Sequence, residues 1–578
     1  MQFNKSILCL SLFLSPSIAF SQTTFLTQGS KDRVILERME ILGQTDSVLN
    51  FSKIQPLSRK SIIQKAEALA MKIDAIEPVG GNSQTSSEAL LSKKLSKADK
   101  YNLNRLLMNN REWVTESRYK FASKKPVGKN FYQSPANMFE VNNADFFLAV
   151  NPVIQYVLSK EKDNDQNLFL NTRGVSLRGR IADKIGFAAY VSENQERPPM
   201  YVQQWVAARQ AVPGAGFYKD FKDPGGLDYF DARGYISFNA TKFIDISFGY
   251  DRNFIGNGQR SLFLSDFSNN TLFLKLNTRI WKFNYQNLFM ELVPSHRTGA
   301  DILLPKKYAA MHHLDINIGK HLNIGLFEGV VFGRKDHFDF GYLNPVIFYR
   351  SIEQQNGSFD NSVAGLDFKA NVAKRFQVYG QLMLDEFKLS ELKANSGWWA
   401  NKWAIQAGVK YIDAFNIKNL DLQIEHNRVR PFTYSHRDSV ANYSHYNQPL
   451  AHPLGANFQE TIGVVRYQPA PKWLIQGKLI NYKQGNDINN ESFGSNVFLP
   501  NIPPYRRRDD GYNIGSGLET NVLLGSFLLS YEWKENLFFE VSALYRKTDV
   551  PTNSLLSTNT SVISAGIRWN MHRREFEF

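Results

Sequence analysis

The stretch Val175-Ser176-Leu177-Arg178-Gly179-Arg180-Ile181-Ala182-Asp183-Lys184-Ile185-Gly186-Phe187-Ala188-Ala189-Tyr190-Val191 decides the fold. Val175, Leu177, Gly179 and Ile181 alternate with Ser176, Arg178 and Arg180, which is the period of an extended strand. Ala182 to Lys184 is short enough to be a hairpin turn. Beyond it Ile185, Phe187, Ala189 and Val191 take up the opposite phase. The pattern predicts a hairpin with one uncharged face and one face carrying arginine. The second face needs water, whereas the inner face of a soluble sandwich would be apolar.

The alternation recurs along the chain. Ile244/Ile246/Phe248/Tyr250, Leu272/Leu274/Leu276, Leu314/Ile316/Ile318, Leu322/Ile324/Leu326 and Leu420/Leu422/Ile424 repeat it. Trp473/Ile475/Leu479, Phe539/Val541/Ala543/Tyr545 and Ile563/Ala565/Ile567/Trp569 carry it towards the end. The other face holds Asp245, Lys275, Asp315, Asp421, Glu425, Lys478, Glu540 and Arg568, in the same phase as Arg178 and Arg180. Apolar faces that end in Tyr250, Tyr545 or Trp569 suit the aromatic girdles of a membrane barrel with a wet lumen. The connections alternate too. Ala182 to Lys184 and Gly319 to His321 are short, while 193–232, 251–270, 426–459 and 484–511 are long and rich in Gly, Pro, Asn and Tyr. Counting segments predicts a transmembrane antiparallel β-barrel of about 18 strands over 131–578. The closing Phe576-Glu577-Phe578 resembles the terminal aromatic signal of outer-membrane barrels.

Composition supports this reading. Aromatics make up 13% of the chain, yet the mean hydropathy is −0.35. After the leader no run of about 18 apolar residues occurs, which excludes transmembrane helices. In a barrel only every second residue meets lipid, so a hydropathy average hides the membrane. The leader itself is Lys5 followed by Ile7-Leu8-Cys9-Leu10-Ser11-Leu12-Phe13-Leu14 and then Ala19-Phe20-Ser21. It reads as an export signal over 1–21, cut between Ser21 and Gln22. Cys9 is the only cysteine and leaves with the signal, which removes disulfides, zinc–thiolate sites and cysteine catalysis.

Residues 22–130 have a helical period and are expected to form a small periplasmic region. Ser58 to Met71 places helix formers and apolar residues at spacings of three and four, with Ser58 and Ser61 as N-caps. A second helix is expected from Lys97 to Glu116, with Leu103, Leu106, Leu107 and Trp113 inside. Asn82 to Ser87 reads as a polar linker.

No motif carries catalysis, and no cofactor is expected. His426, His436, His445 and His452 fall in one expected loop, but their spacing matches no zinc motif. Asp385-Glu386, Glu353 and Glu460 supply carboxylates without a spacing that sets two of them for glycoside hydrolysis. Gly256-Asn257-Gly258-Gln259-Arg260-Ser261 lacks the following helix that a phosphate loop needs. The formal charge of +14 points to an anionic partner. An exported chain rarely meets nucleic acid, so capsular or other surface polysaccharide and lipopolysaccharide are the expected partners. Arg178 and Arg180 in the lumen and the loop run Arg506-Arg507-Arg508 are the candidate polysaccharide contacts.

Three phrases carry a resemblance. They are Gln55-Pro56-Leu57-Ser58-Arg59, Arg252-Asn253-Phe254-Ile255-Gly256-Asn257-Gly258 with Ser261-Leu262-Phe263-Leu264-Ser265, and Asn447-Gln448-Pro449-Leu450-Ala451-His452-Pro453-Leu454-Gly455. Together with the leader and the helical region, they make the chain similar to the Wzi-type capsule-assembly outer-membrane proteins, in particular to Bacteroidetes-like relatives. The resemblance implies an 18-stranded barrel with a periplasmic helical bundle that associates with capsular polysaccharide by binding, without catalysis. A porin-like channel and a role in gliding motility are the alternative readings.

Overall fold

The computed structural model describes residues 24–26, 31–44, 48–76, 95–116, 121–182, 184–222, 224–296, 302–346, 348–357 and 359–578. The expected export signal and the 82–87 linker lie outside these residues. Eighteen antiparallel strands close into a barrel. In chain order they are β1 (Phe146–Glu161), β2 (Leu168–Ile181), β3 (Ile185–Arg197), β4 (Leu227–Thr241), β5 (Ile244–Asp251) and β6 (Thr271–Ile280). β7 (Phe283–Leu292), β8 (Lys307–Ile318), β9 (Leu322–Phe332), β10 (Asn361–Val372), β11 (Phe376–Glu386) and β12 (Lys402–Tyr411) follow. β13 (Leu420–Val429), β14 (Phe458–Tyr467), β15 (Trp473–Asn486), β16 (Leu518–Lys534), β17 (Leu537–Asp549) and β18 (Thr558–Trp569) complete the wall. The deciding hairpin pairs Val175 with Val191 and Ile181 with Ile185, as its phase requires.

The two faces follow the alternation. Val175, Val191, Phe248, Ile424, Leu479, Phe539 and Ile563 point outward and are exposed. A belt of exposed Val, Ile and Phe around a whole sheet is too large for a surface in water and fits lipid. Asp315, Asp421, Glu425, Lys478 and Glu540 point into the lumen and are buried, because other parts of the chain fill it. One mouth has only short turns, 182–184, 242–243, 281–282, 319–321 and 373–375 among them. The opposite mouth carries the long connections.

Helices α1 (Lys31–Gly43), α2 (Arg59–Ile76) and α3 (Lys97–Asn109) pack together at the short-turn mouth. α3 starts with a reciprocal cap: the Asp99 amide donates to Ser96 Oγ and the Ser96 amide donates to the Asp99 carboxylate, both at 3.0 Å. Leu103, Leu106 and Leu107 then face Ile35, Met39, Ile63 and Ala66. The expected second helix is shorter than 97–116, since a 3-10 turn over Arg111–Trp113 ends it. α1 is not evident from the apolar pattern, because Arg38 and Glu40 interrupt its stripe. Both are buried, since each meets an opposite charge.

The wall is sealed in two parts. β18 pairs only with the upper part of β1, from Val562 opposite Glu161 to Trp569 opposite Ile154. The lower part, Phe147 to Val150, pairs instead with a strand at Asn137–Asn142 that precedes the barrel. After Trp569 the chain leaves the wall and runs into the lumen. Phe578 is therefore buried against Tyr201, Trp205 and Phe267. The last strand thus ends on Trp569, and the aromatics of Phe576-Glu577-Phe578 are lumen contents.

A second departure concerns the connection 333–360, which folds down the outer wall. Tyr285, Asn287, His312 and Glu328 are polar residues on the outward face of β7, β8 and β9. The connection covers them. Tyr285 Oη donates to Pro345 O at 2.5 Å, and the Arg350 amide donates to Glu328 Oε1 at 3.1 Å. The Tyr349 ring lies 3.9 Å from that of His312. The outer side of the same segment exposes Phe340, Val346 and Phe348, which restores an apolar surface above the covered strands.

Candidate functional site

The three phrases that carry the resemblance are far apart in sequence and meet inside the barrel. Ile54 and Gln55 pair with Ile255 and Phe254 as a two-stranded ribbon, and the Gly256 amide donates to Lys53 O at 2.9 Å. The Ser265 amide donates to Leu450 O at 2.9 Å. Leu262, Phe263, Leu264, Leu450 and Ala451 then share one apolar cluster with Phe327 and Met383 of the wall. The Phe263 and Phe327 rings stack at 4.5 Å. The connection 252–270 thus hangs down the lumen and meets the segment that rises from the helices.

The glycine-containing run 256–261 does cradle an anion, and the anion is the protein's own. The Gln259 and Arg260 amides donate to the Glu425 carboxylate at 2.7 and 3.1 Å, and Tyr379 Oη donates to it at 2.7 Å. A Cβ at Gly258 would lie 2.4 Å from Glu425 Oε2 and 2.8 Å from the Arg260 carbonyl oxygen, so this approach requires glycine.

Buried charges hold the helices to the barrel. Arg38 reaches Asp99 at 2.8 Å, Asp413 at 2.9 Å and also Asp421. Lys53 is fully enclosed between Asp367 and Asp315, with His313 on the far side of Asp367 at 2.7 Å. Glu40 meets Lys369 at 2.6 Å, Glu37 meets Lys410 at 3.1 Å, and Arg105 meets Glu532 at 2.7 Å. Against its burial, Glu37 is held down at about 2 by Lys410 and Arg33.

The expected contact arginines lie at opposite ends of the barrel. Arg178 donates to Glu112 Oε1 at 2.8 Å and to Asn109 O at 2.5 Å, so it binds the helical region. Arg180 lies over the Trp113 ring at 5.4 Å. Arg506, Arg507 and Arg508 stand in the long connection 487–517. Arg506 is turned inward, over Trp399 at 4.2 Å and bonded to Asn501 O at 2.9 Å. Arg508 is half-exposed, steered by Glu491 at 3.1 Å and by the Phe493 and Tyr512 rings, each at 5.2 Å. Arg507 is exposed and donates to Asn489 O at 3.0 Å. Tyr505 is exposed beside it.

The four histidines separate. His426 is on β13, outside the loop expected for it, with its ring 3.0 Å from Thr461 Oγ1. His445 accepts the Val293 amide on Nδ1 and contacts Asn270 O through Nε2, both at 3.0 Å. His452 meets Glu460 at 2.7 Å. Among the described residues no three His, Cys, Asp or Glu side chains are placed to hold a metal ion. The carboxylates separate as well. Asp385 is the extra residue of a bulge in β11 and accepts the Tyr434 amide at 2.8 Å. Glu353 pairs with Arg350 at 2.6 Å in the segment on the outer wall. Glu460 lies in the lumen beside Arg260.

The family model described as capsule assembly protein Wzi matches residues 174–512. No curated protein sequence matches the chain. Among solved structures the chain is similar to Wzi of Escherichia coli, described as an outer membrane protein involved in group 1 capsule assembly and a carbohydrate-binding β-barrel. Identity is 13%, the match covers 96% of this chain and 100% of that one, and the TM-score is 0.57. OprD of Pseudomonas aeruginosa follows at 10% identity over 73% of this chain and 94% of that one, with a TM-score of 0.40.

Proposed function

The chain belongs to the Wzi family of capsule assembly proteins, and from that premise we propose that it retains an anionic capsular or surface polysaccharide at the cell surface by binding, without bond-breaking chemistry. The long-loop mouth then faces outward. The short-turn mouth faces the periplasm, with residues 22–130 as its helical closure and residues 1–21 as the export signal.

The observation that carries this reading is the filling of the lumen. The helices occupy one mouth around an apolar core of their own, and the connections 252–270 and 430–457 occupy the other, where their apolar residues share a core with wall residues. This arrangement suits a holder better than a solute channel. Tyr505, Arg507 and Arg508 offer exposed aromatic and cationic contacts at the outer mouth. Many weak contacts along a polymer give retention without a deep pocket.

Deleting the gene in an encapsulated strain tests the reading. The expected result is normal polysaccharide synthesis with the polymer shed into the medium. Fully cell-attached capsule would overturn it. In planar bilayers the purified barrel is expected to stay closed, and a large steady conductance would favour a channel.

A further inference from the structure

Residues 571–578 form neither strand nor helix, and side chains of the lumen hold them in place. Lys478 on β15 has Glu575, at 3.0 Å, and Glu577 as its ion partners. Arg260 donates to Glu577 O at 2.5 Å, Arg546 to Phe578 O at 3.0 Å and Tyr201 Oη to Phe576 O at 2.7 Å. The segment is an extended strip that carries Arg573 and Arg574 ahead of Glu575 and Glu577, and its two carboxylates lie two residues apart on one edge. The cations around these carboxylates come from the wall (Lys478), from the hanging connection (Arg260) and from the segment itself, where Arg573 lies 3.1 Å from Glu575.

Two cavities flank the strip. One, of about 270 Å³, includes Arg233, Arg252 and Gln259 in its lining, and the other, of about 150 Å³, includes Tyr201, Gln476 and Ser542. Gln155 lines both, is 3% exposed, and its Oε1 has no hydrogen-bond partner. A buried acceptor left without a donor is costly, and a ligand hydroxyl would satisfy it. The Nε of Arg260 is likewise without a hydrogen-bond partner.

We infer that this lumen groove is a carboxylate-recognition site for an acidic saccharide chain, and that Glu575 and Glu577 occupy it as a built-in competitor. A saccharide bearing repeated carboxylates presents the same features as the strip: an extended backbone, anions for Lys478 and Arg260, and hydroxyls for Gln155. The strip is tethered at Trp569, so its effective concentration is in the millimolar range or above, and only a multivalent ligand displaces it. The inference rests on the proposed function for its choice of a saccharide, while the site itself rests on the lumen chemistry.

The test uses the full-length barrel in detergent and calorimetric titration. The probe is a tetrasaccharide alternating glucuronate and N-acetylglucosamine, with its carboxyl-reduced form as the neutral control. In the E575Q/E577Q variant the acidic tetrasaccharide is expected to bind about fivefold or more tighter than in the parent. The neutral form is expected to show no such gain, and K478Q added to that variant is expected to abolish it. Heat-modifiable migration of each variant confirms that the barrel is folded. Equal affinity in parent and variant would overturn the inference, as would equal binding of the neutral sugar or a gain that survives K478Q. These outcomes are read in vitro on purified protein, so they are distinguishable from failure of the capsule-retention experiment.

Discussion

At the short-turn mouth Arg38 lies among Asp99, Asp413 and Asp421, and Lys53 lies between Asp315 and Asp367. At the long-loop mouth the Tyr434 and Tyr443 hydroxyls donate to the Leu262 and Phe263 carbonyls at 2.9 and 2.7 Å and apolar side chains pack around them, beside the buried pair of His452 and Glu460 and the buried Lys402 that meets Glu386. Both mouths are closed, but residues 31–116 reach the wall chiefly through ion pairs and the outer connections chiefly through apolar packing. A buried charge fixes orientation and tolerates no missing partner, because the desolvated survivor has no water to turn to. Apolar packing with neutral hydrogen bonds yields by degrees. The helical closure should therefore fail abruptly when one charge is lost, and the outer connections should loosen in steps.

The largest effect is expected from Arg38→Met. It leaves three carboxylates together and should loosen the helical closure by about 3–5 kcal/mol. Limited proteolysis of the folded barrel is expected to cut within residues 31–116 in this variant alone. Resistance equal to the parent would mean that the ion pairs do not hold the closure.

Acidification should separate the two mouths. Burial, helped by Lys307 and Lys306 nearby, holds the His445 imidazole at about 4, below its usual 6.5, and its Nδ1 accepts the Val293 amide. The unfolded ring takes up a proton first. This contribution, on the order of 3 kcal/mol, is complete above about 6.5 and is lost as the pH falls towards 4. Glu37 stays ionised down to about 2, so its contribution at the other mouth outlasts that of His445. Hydrogen exchange at Val293 should accelerate near pH 5 while protection in α1 persists, and His445→Asn should remove the pH-dependent part. Simultaneous loss at both mouths would erase the contrast.

Tyr443→Phe removes one neutral hydrogen bond and is expected to cost about 1 kcal/mol, read as a small fall in the temperature of heat-modifiable migration. The R507Q/R508Q double variant should change stability by less than about 0.5 kcal/mol. It should weaken binding of acidic polysaccharide, and the remaining binding should depend less on salt. A loss of stability larger than the loss of binding would assign these arginines to the scaffold, as the structure already does for Arg506.

The wall was legible because lipid and lumen impose opposite chemistry on alternate residues. Asp315, Asp421, Lys478 and Glu540 could be assigned to the inner face from phase alone. Their partners could not. Arg38 and Lys53 look like charges on a solvated helix and loop until Asp421 and Asp367 are brought to them, and no local pattern encodes that pairing. α1 was obscured for the same reason, since its buried face is partly charged. The segment 333–360 is not evident in the sequence because the strands beneath it break the outward rule: His312 and Glu328 face outward yet are covered by their own chain. Of the candidate arginines, periodicity placed Arg178 and Arg180 correctly in the lumen. It could not reveal that Arg178 is already committed to Glu112.

The two-part seam bears on the order of events in time. β18 is too short to cover the whole edge of β1, and the remaining length is covered by Asn137–Asn142 from the other end of the wall. The lower stretch closes between near neighbours in the chain and does not wait for the last strand, and either stretch left open would invite pairing with any neighbouring strand. Maturation therefore needs two closing strokes from opposite ends of the chain, and the lower one also draws in Glu140, which pairs with Arg111 just beyond α3. A barrel that begins at Phe146 would complete the upper stroke and never the lower.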